Sequence, residues 1–148
     1  MRKLVLGVAA LCLSGMTAMA ADDPIAVRKH IMASVGAAAG LSGGMMKGEV
    51  AYSPAAGKSA IATMAAAASS FGSFFPEGSD KGDTTAAPKI WEDAAGFQTA
   101  LDKFAADAGA AVAASGKDGP ADLEAFKAAM GPVMGNCKSC HEAYRVKK

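Results

Sequence analysis

Large aromatic side chains are scarce in this chain: six Phe, two Tyr and one Trp account for 6% of its 148 residues. Ala, Gly and Met occupy most apolar positions instead, so helices can approach closely around something else that supplies bulk. Histidine occurs twice and cysteine three times, which leaves little from which to build a zinc site. No run of alternating β-branched residues supports the βαβ frame of a thioredoxin-like redox protein. Formal charges nearly balance at +1, so no basic excess points to nucleic acid. Beyond the first twenty residues there is no long apolar run, and no membrane anchor is expected.

The N-terminus reads as an export signal. Arg2 and Lys3 precede an apolar stretch from Leu4 to Leu13, and Ala18-Met19-Ala20 suits cleavage before Ala21. Residues 1–20 are therefore expected to be a cleaved signal peptide, placing residues 21–148 in the periplasm as one domain. Removal of Arg2 and Lys3 shifts the formal charge from +1 to −1. Cys12 leaves with the leader, and both remaining cysteines lie close to the C-terminus.

Those two form Cys137-Lys138-Ser139-Cys140-His141, the C-x-x-C-H signature of c-type haem attachment. Residues three apart share a helix face, so both thiols reach one porphyrin edge as thioethers while His141 coordinates the iron. A structural disulfide is the plain alternative, although a bond across so short a loop would constrain little of the chain.

Four helical segments are expected. Asp23-Pro24 is a start signal, and Lys47-Gly48 a stop. Ser53-Pro54 repeats the start, with the second segment running towards Phe74 or Phe75. Pro76 to Pro88 reads as a long surface connection. The third segment begins around Pro88 and sets Ile90, Trp91, Ala94, Phe97, Leu101, Phe104, Ala108 and Val112 along one stripe, ending at Ser115-Gly116. The fourth follows Pro120, carries Leu123, Phe126, Ala129 and Met130, and reaches the motif past Pro132, which should bend or loosen it. The pattern argues an all-α fold, an antiparallel four-helix bundle with covalently attached haem c.

On these residues the chain resembles the class II c-type cytochromes, the cytochrome c′ superfamily. The motif near the C-terminus is followed by Ala143-Tyr144-Arg145 and a lysine-rich end. Pro88-Lys89-Ile90-Trp91 with Phe97 is similar to the start of that family's third helix, and Met46-Lys47-Gly48 through Tyr52 to the end of its first. The resemblance implies one haem c bound through Cys137 and Cys140, with His141 as an axial ligand.

It also points to the sixth iron position, which in this family lies four residues after a common Arg of the first helix. Here those residues are Arg28 and Met32. Five-coordinate members, usually called cytochromes c′, hold an apolar residue there; the low-spin branch is similar to this chain in having Met. Arg28 and Met32 are i and i+4 and share a face with Val35 and Ala39, so one haem could meet Met32 at iron and Arg28 at a propionate. The plain alternatives are a core methionine and a solvated arginine. Met45 and Met46 lie too far along the helix to compete, and His30 is turned about 200° away from Met32.

The reading is a periplasmic electron carrier, not an enzyme, with His141 and Met32 as axial ligands and protein redox partners. The alternative is a five-coordinate protein binding nitric oxide or carbon monoxide. A peroxidase would need distal acid–base groups that nothing near Met32 supplies. Lys138, Arg145, Lys147 and Lys148 make the haem end basic, which suits an acidic partner or an ordinary solubilising tail. The resemblance also implies a possible homodimer through the first two helices.

Overall fold

The computed structural model describes residues 23–147. The expected leader, residues 1–20, and Lys148 lie outside the described residues. Helix α1 spans Pro24–Lys47, α2 Pro54–Ser70, α3 Lys89–Glu92, α4 Ala94–Ser115 and α5 Leu123–Tyr144, with a 3-10 turn over Phe71–Phe74. Among the described residues there is no strand, only an isolated antiparallel bridge between Ala86 and Arg145. The four long helices make an antiparallel bundle in which α1 packs on α2, α2 on α4 and α4 on α5, while α1 and α5 meet only lightly.

The helix ends follow local chemistry. Asp23 Oδ1 accepts from the Ile25 amide at 3.0 Å and Ser53 Oγ from Ala56 at 3.2 Å. Pro24 and Pro54 follow where no amide is needed. Such caps are each worth about 1 kcal/mol. The first helix closes on Gly48, whose φ of 78° lies in the left-handed region and whose amide returns to the Gly44 and Met45 carbonyls.

Three sequence expectations change. The third segment is interrupted: α3 is a single turn, and Asp93 starts α4 afresh by accepting from the Gly96 amide at 3.1 Å. A short carboxylate that bonds a nearby amide competes with continued helix, so the apolar stripe runs on across a break. The second change is at Pro132, where α5 continues without interruption. The ring removes the donor owed to the Ala128 carbonyl, but Ala128 and Pro132 are both exposed, so that group is open to solvent. Third, the connection from Pro76 to Pro88 is not merely superficial, since Ser79 and Ala87 within it are buried.

The apolar interior falls into two clusters. The larger joins Met45, Ile61, Met64, Phe126, Met130 and Val133, all at most 2% exposed. Burial of each such side chain contributes about 1.5–3 kcal/mol. The smaller gathers Ile90, Phe97 and Leu101 with Phe71, Phe75, Trp91 and Tyr144. Most of the chain's few aromatics are therefore concentrated at one end of the bundle, the end that carries the Cys-x-x-Cys-His residues.

Candidate haem-binding site

Between the two clusters lies a cavity of about 670 Å³, within the ~300–1,000 Å³ common for cofactor sites. Val35, Ala39 and Phe104 from the large cluster and Phe71, Phe75, Ile90, Phe97, Leu101 and Tyr144 from the small one share its wall. Close packing normally fills such a volume, so a core divided in this way calls for a bulky apolar group.

The chemistry-bearing residues converge on the same space. Cys137, Cys140 and His141 reach it from the end of α5, and Met32 and Arg28 from α1. Both cysteines are half-buried and no disulfide joins them. Burial raises both thiols, Cys140 further because of the Cys137 sulfur, so they are neutral nucleophile precursors and not thiolates at neutral pH. Partial desolvation against the cavity wall, and after it the Arg145 cation, holds His141 below the ordinary imidazole value although the residue as a whole is exposed. The neutral ring this favours is the form that binds iron. Two unpaired thiols, an imidazole and a thioether on apolar walls match a c-type haem.

Among the described residues no group of three or more His, Cys, Asp or Glu side chains converges in a metal-holding arrangement. His30 is exposed and is not on the cavity wall. Met45 is fully buried in the large cluster, away from the cavity. Trp91 also stands back from the wall, and its Nε1 donates to the Phe75 and Pro76 carbonyls at 3.3 Å each.

Arg28 is placed differently from a solvated arginine. It is buried, and its two terminal nitrogens donate to Phe74 and Ser79 carbonyls and to Ser79 and Thr84 hydroxyls. Four of its five N–H bonds are thus taken, which leaves only Nε–H for a further acceptor.

Two wall residues carry no advance signal. Asn136 is buried beside the motif, and its Nδ2 donates to Asp107 Oδ2 at 2.7 Å and to the Pro132 carbonyl at 3.0 Å. Its place immediately before Cys137 is the only hint the sequence holds. Phe75 ends the second helical segment in sequence, yet its ring packs edge-on against Phe97 with centroids 4.8 Å apart. Phe97 in turn meets Tyr144 at 5.2 Å, which closes an aromatic wall over the α5 end.

Comparison with known proteins agrees with this geometry. The family model described as Cytochrome C' matches residues 23–145. A cytochrome c' of Rhodopseudomonas palustris is 42% identical over 132 residues, covering 88% of this chain and 87% of that one. A cytochrome c-556 of Agrobacterium tumefaciens is 36% identical over 121 residues, 82% of this chain and 95% of that one. The solved cytochrome c' of Rhodopseudomonas palustris superposes with a TM-score of 0.76 at 40% identity, over 86% of this chain and 99% of the other. Together with the divided core and the Cys-x-x-Cys-His cavity, these likenesses show that the chain belongs to the cytochrome c′ family of haem proteins.

Proposed function

We propose that this protein is a periplasmic electron carrier, not an enzyme, holding a single haem c with His141 and Met32 as its axial ligands. The observation that carries this reading is that the Met32 thioether stands on the wall of the same cavity as the Cys-x-x-Cys-His residues. Cys137 and Cys140 would hold the haem as thioethers, and Nε–H of Arg28, the one N–H its protein partners leave, would serve a propionate. When bound, the haem supplies an iron that passes between ferrous and ferric states.

The protein's part is to keep the ligand set fixed. With haem bound, Met32 and a neutral His141 as its ligands would leave no position for water or substrate, and soft sulfur ligation would favour the ferrous state. Phe71, Phe75 and Phe97 give that end of the cavity an apolar aromatic wall. Exposed Lys138, Arg145 and Lys147 surround the motif and suit an acidic redox partner. The reading includes a homodimer through α1 and α2, since Gly40 and Gly43 on α1, away from the cavity wall, have no atom within 4 Å of where a Cβ would stand.

A second reading is a five-coordinate protein that binds nitric oxide or carbon monoxide at an open distal face. The names lean towards it: the 42% identical relative and the solved structure at 40% identity are both called cytochrome c', the usual name of five-coordinate members. Another relative is a cytochrome c-556, so the names of relatives divide.

Optical spectra of the ferric and ferrous holoprotein, with and without carbon monoxide, separate the two. For the carrier, wild type is low-spin and indifferent to carbon monoxide, and Met32→Ala becomes high-spin and binds it. A high-spin wild type that takes up carbon monoxide readily, with no change on Met32→Ala, overturns the carrier.

A further inference from the structure

A guanidinium placed early in α1 would ordinarily be solvated, but Arg28 is only 5% exposed. Every hydrogen-bond partner it has lies in one connection. Nη1 donates to the Phe74 carbonyl at 3.0 Å and to Ser79 Oγ at 2.9 Å; Nη2 donates to the Ser79 carbonyl at 2.7 Å and to Thr84 Oγ1 at 3.4 Å. The guanidinium carbon also lies 4.7 Å from the Phe75 ring centroid, a cation–π contact.

The same connection is tied at its far end to the tail of α5. The Ala87 amide donates to the Tyr144 carbonyl and the Val146 amide to the Thr85 carbonyl, both at 2.9 Å. Arg145 Nε donates to Thr85 Oγ1 at 3.4 Å. Residues 74–87 therefore form a strap from α1 to the end of α5, the two long helices that meet only lightly by themselves. Phe75 and Thr84 to Ala86 of this strap line the cavity between them.

We propose that Arg28 is a positioning residue for Met32, fixing α1 against this strap so that the thioether is presented at the distal side of the cavity. The inference rests on the axial role of Met32. Its physical basis is that methionine has three rotatable bonds and adapts to its surroundings, so firm ligation requires a backbone held from outside the side chain. Arg28 is one helical turn before Met32, on the same face. Its forked donors span four acceptors at once, which a lysine ammonium on a flexible stem cannot reproduce.

A double-mutant cycle on the holoprotein tests this. Wild type, Arg28→Gln, Met32→Ala and the double variant are compared by carbon monoxide association with the ferrous form and by the near-infrared charge-transfer band of methionine-ligated ferric haem. Arg28→Gln should raise the association rate about tenfold and weaken the band when Met32 is present, yet change the rate less than about twofold when Met32 is already Ala. Ser79→Ala removes one acceptor and should act in the same direction by less, which keeps the test available if Arg28→Gln yields no holoprotein. Amide exchange of Ala86 and Ala87 should rise in both variants as the strap loosens.

An equal rate increase in both backgrounds overturns the proposal, because Arg28 would then govern entry and not Met32. Unchanged rates in both backgrounds overturn it as well. A wild type as open to carbon monoxide as Met32→Ala removes the axial reading and this inference together, and is recognised before any Arg28 variant is measured.

Discussion

Met32, early in α1, and His141, in the last turn of α5, stand on the wall of one cavity although they come from nearly opposite ends of the described chain. Direct packing between their helices is slight, and the cavity occupies the place where it would otherwise form. The bundle is thus assembled around a gap. The strap of residues 74–87 and the aromatic wall of Phe75, Phe97 and Tyr144 border that gap.

Covalent attachment is tested by extraction. Acid–acetone should leave haem with the wild-type protein and remove it from the Cys137→Ala, Cys140→Ala double variant, because axial bonds break in acid and thioethers do not. Each single variant should retain haem through its remaining thioether. Haem released equally from wild type would rule the attachment out.

Gly96 should resist substitution for a reason absent elsewhere in the same helix. A Cβ there would lie 2.7 Å from Asp93 Oδ1 and 2.7 Å from the Tyr144 hydroxyl. Gly96→Ala would therefore displace the Asp93 cap and the 3.3 Å bond that Tyr144 donates to it. A loss of about 1–3 kcal/mol is expected. Gly109→Ala, where nothing lies within 4 Å, should instead stabilise by about 0.5–1 kcal/mol. Urea unfolding of the two holoproteins should shift the midpoints in opposite directions, and a stabilised Gly96→Ala would contradict the packing described.

Asp107 should make the α4–α5 contact sensitive to acid. Hydrogen bonds from Lys103 Nζ and Asn136 Nδ2, each 2.7 Å, hold its carboxyl below the ordinary value of 3.8. A carboxylate depressed in the folded state stabilises it above the unfolded value, and that contribution is lost as pH falls through the folded one. Wild type should therefore be more stable than Asp107→Asn at neutral pH, with the difference shrinking below about pH 4. Urea unfolding of both proteins at stepped pH checks the sign; a difference that grows in acid would refute it.

What the chain declares locally is found where the sequence places it. Asp23 and Ser53 cap their helices, Gly48 and Gly116 end theirs, and the Cys-x-x-Cys-His residues lie on one helical segment. These features depend on bonds among residues a few positions apart, so side-chain type and spacing suffice to read them. The helical break at Asp93 belongs to the same class of local bond, but there a competing apolar stripe obscured it.

The sequence by itself determined the Cys-x-x-Cys-His spacing, the helical class and most helix ends, because backbone capping and i, i+3 spacing are short-range. Tertiary structure alone decided that the core is split around one cavity and that Arg28 is buried in a connection about fifty residues away. Burial and distant hydrogen bonds depend on which surfaces meet after the chain has folded back on itself, and no local pattern around Arg28 or Asn136 records which partners will arrive.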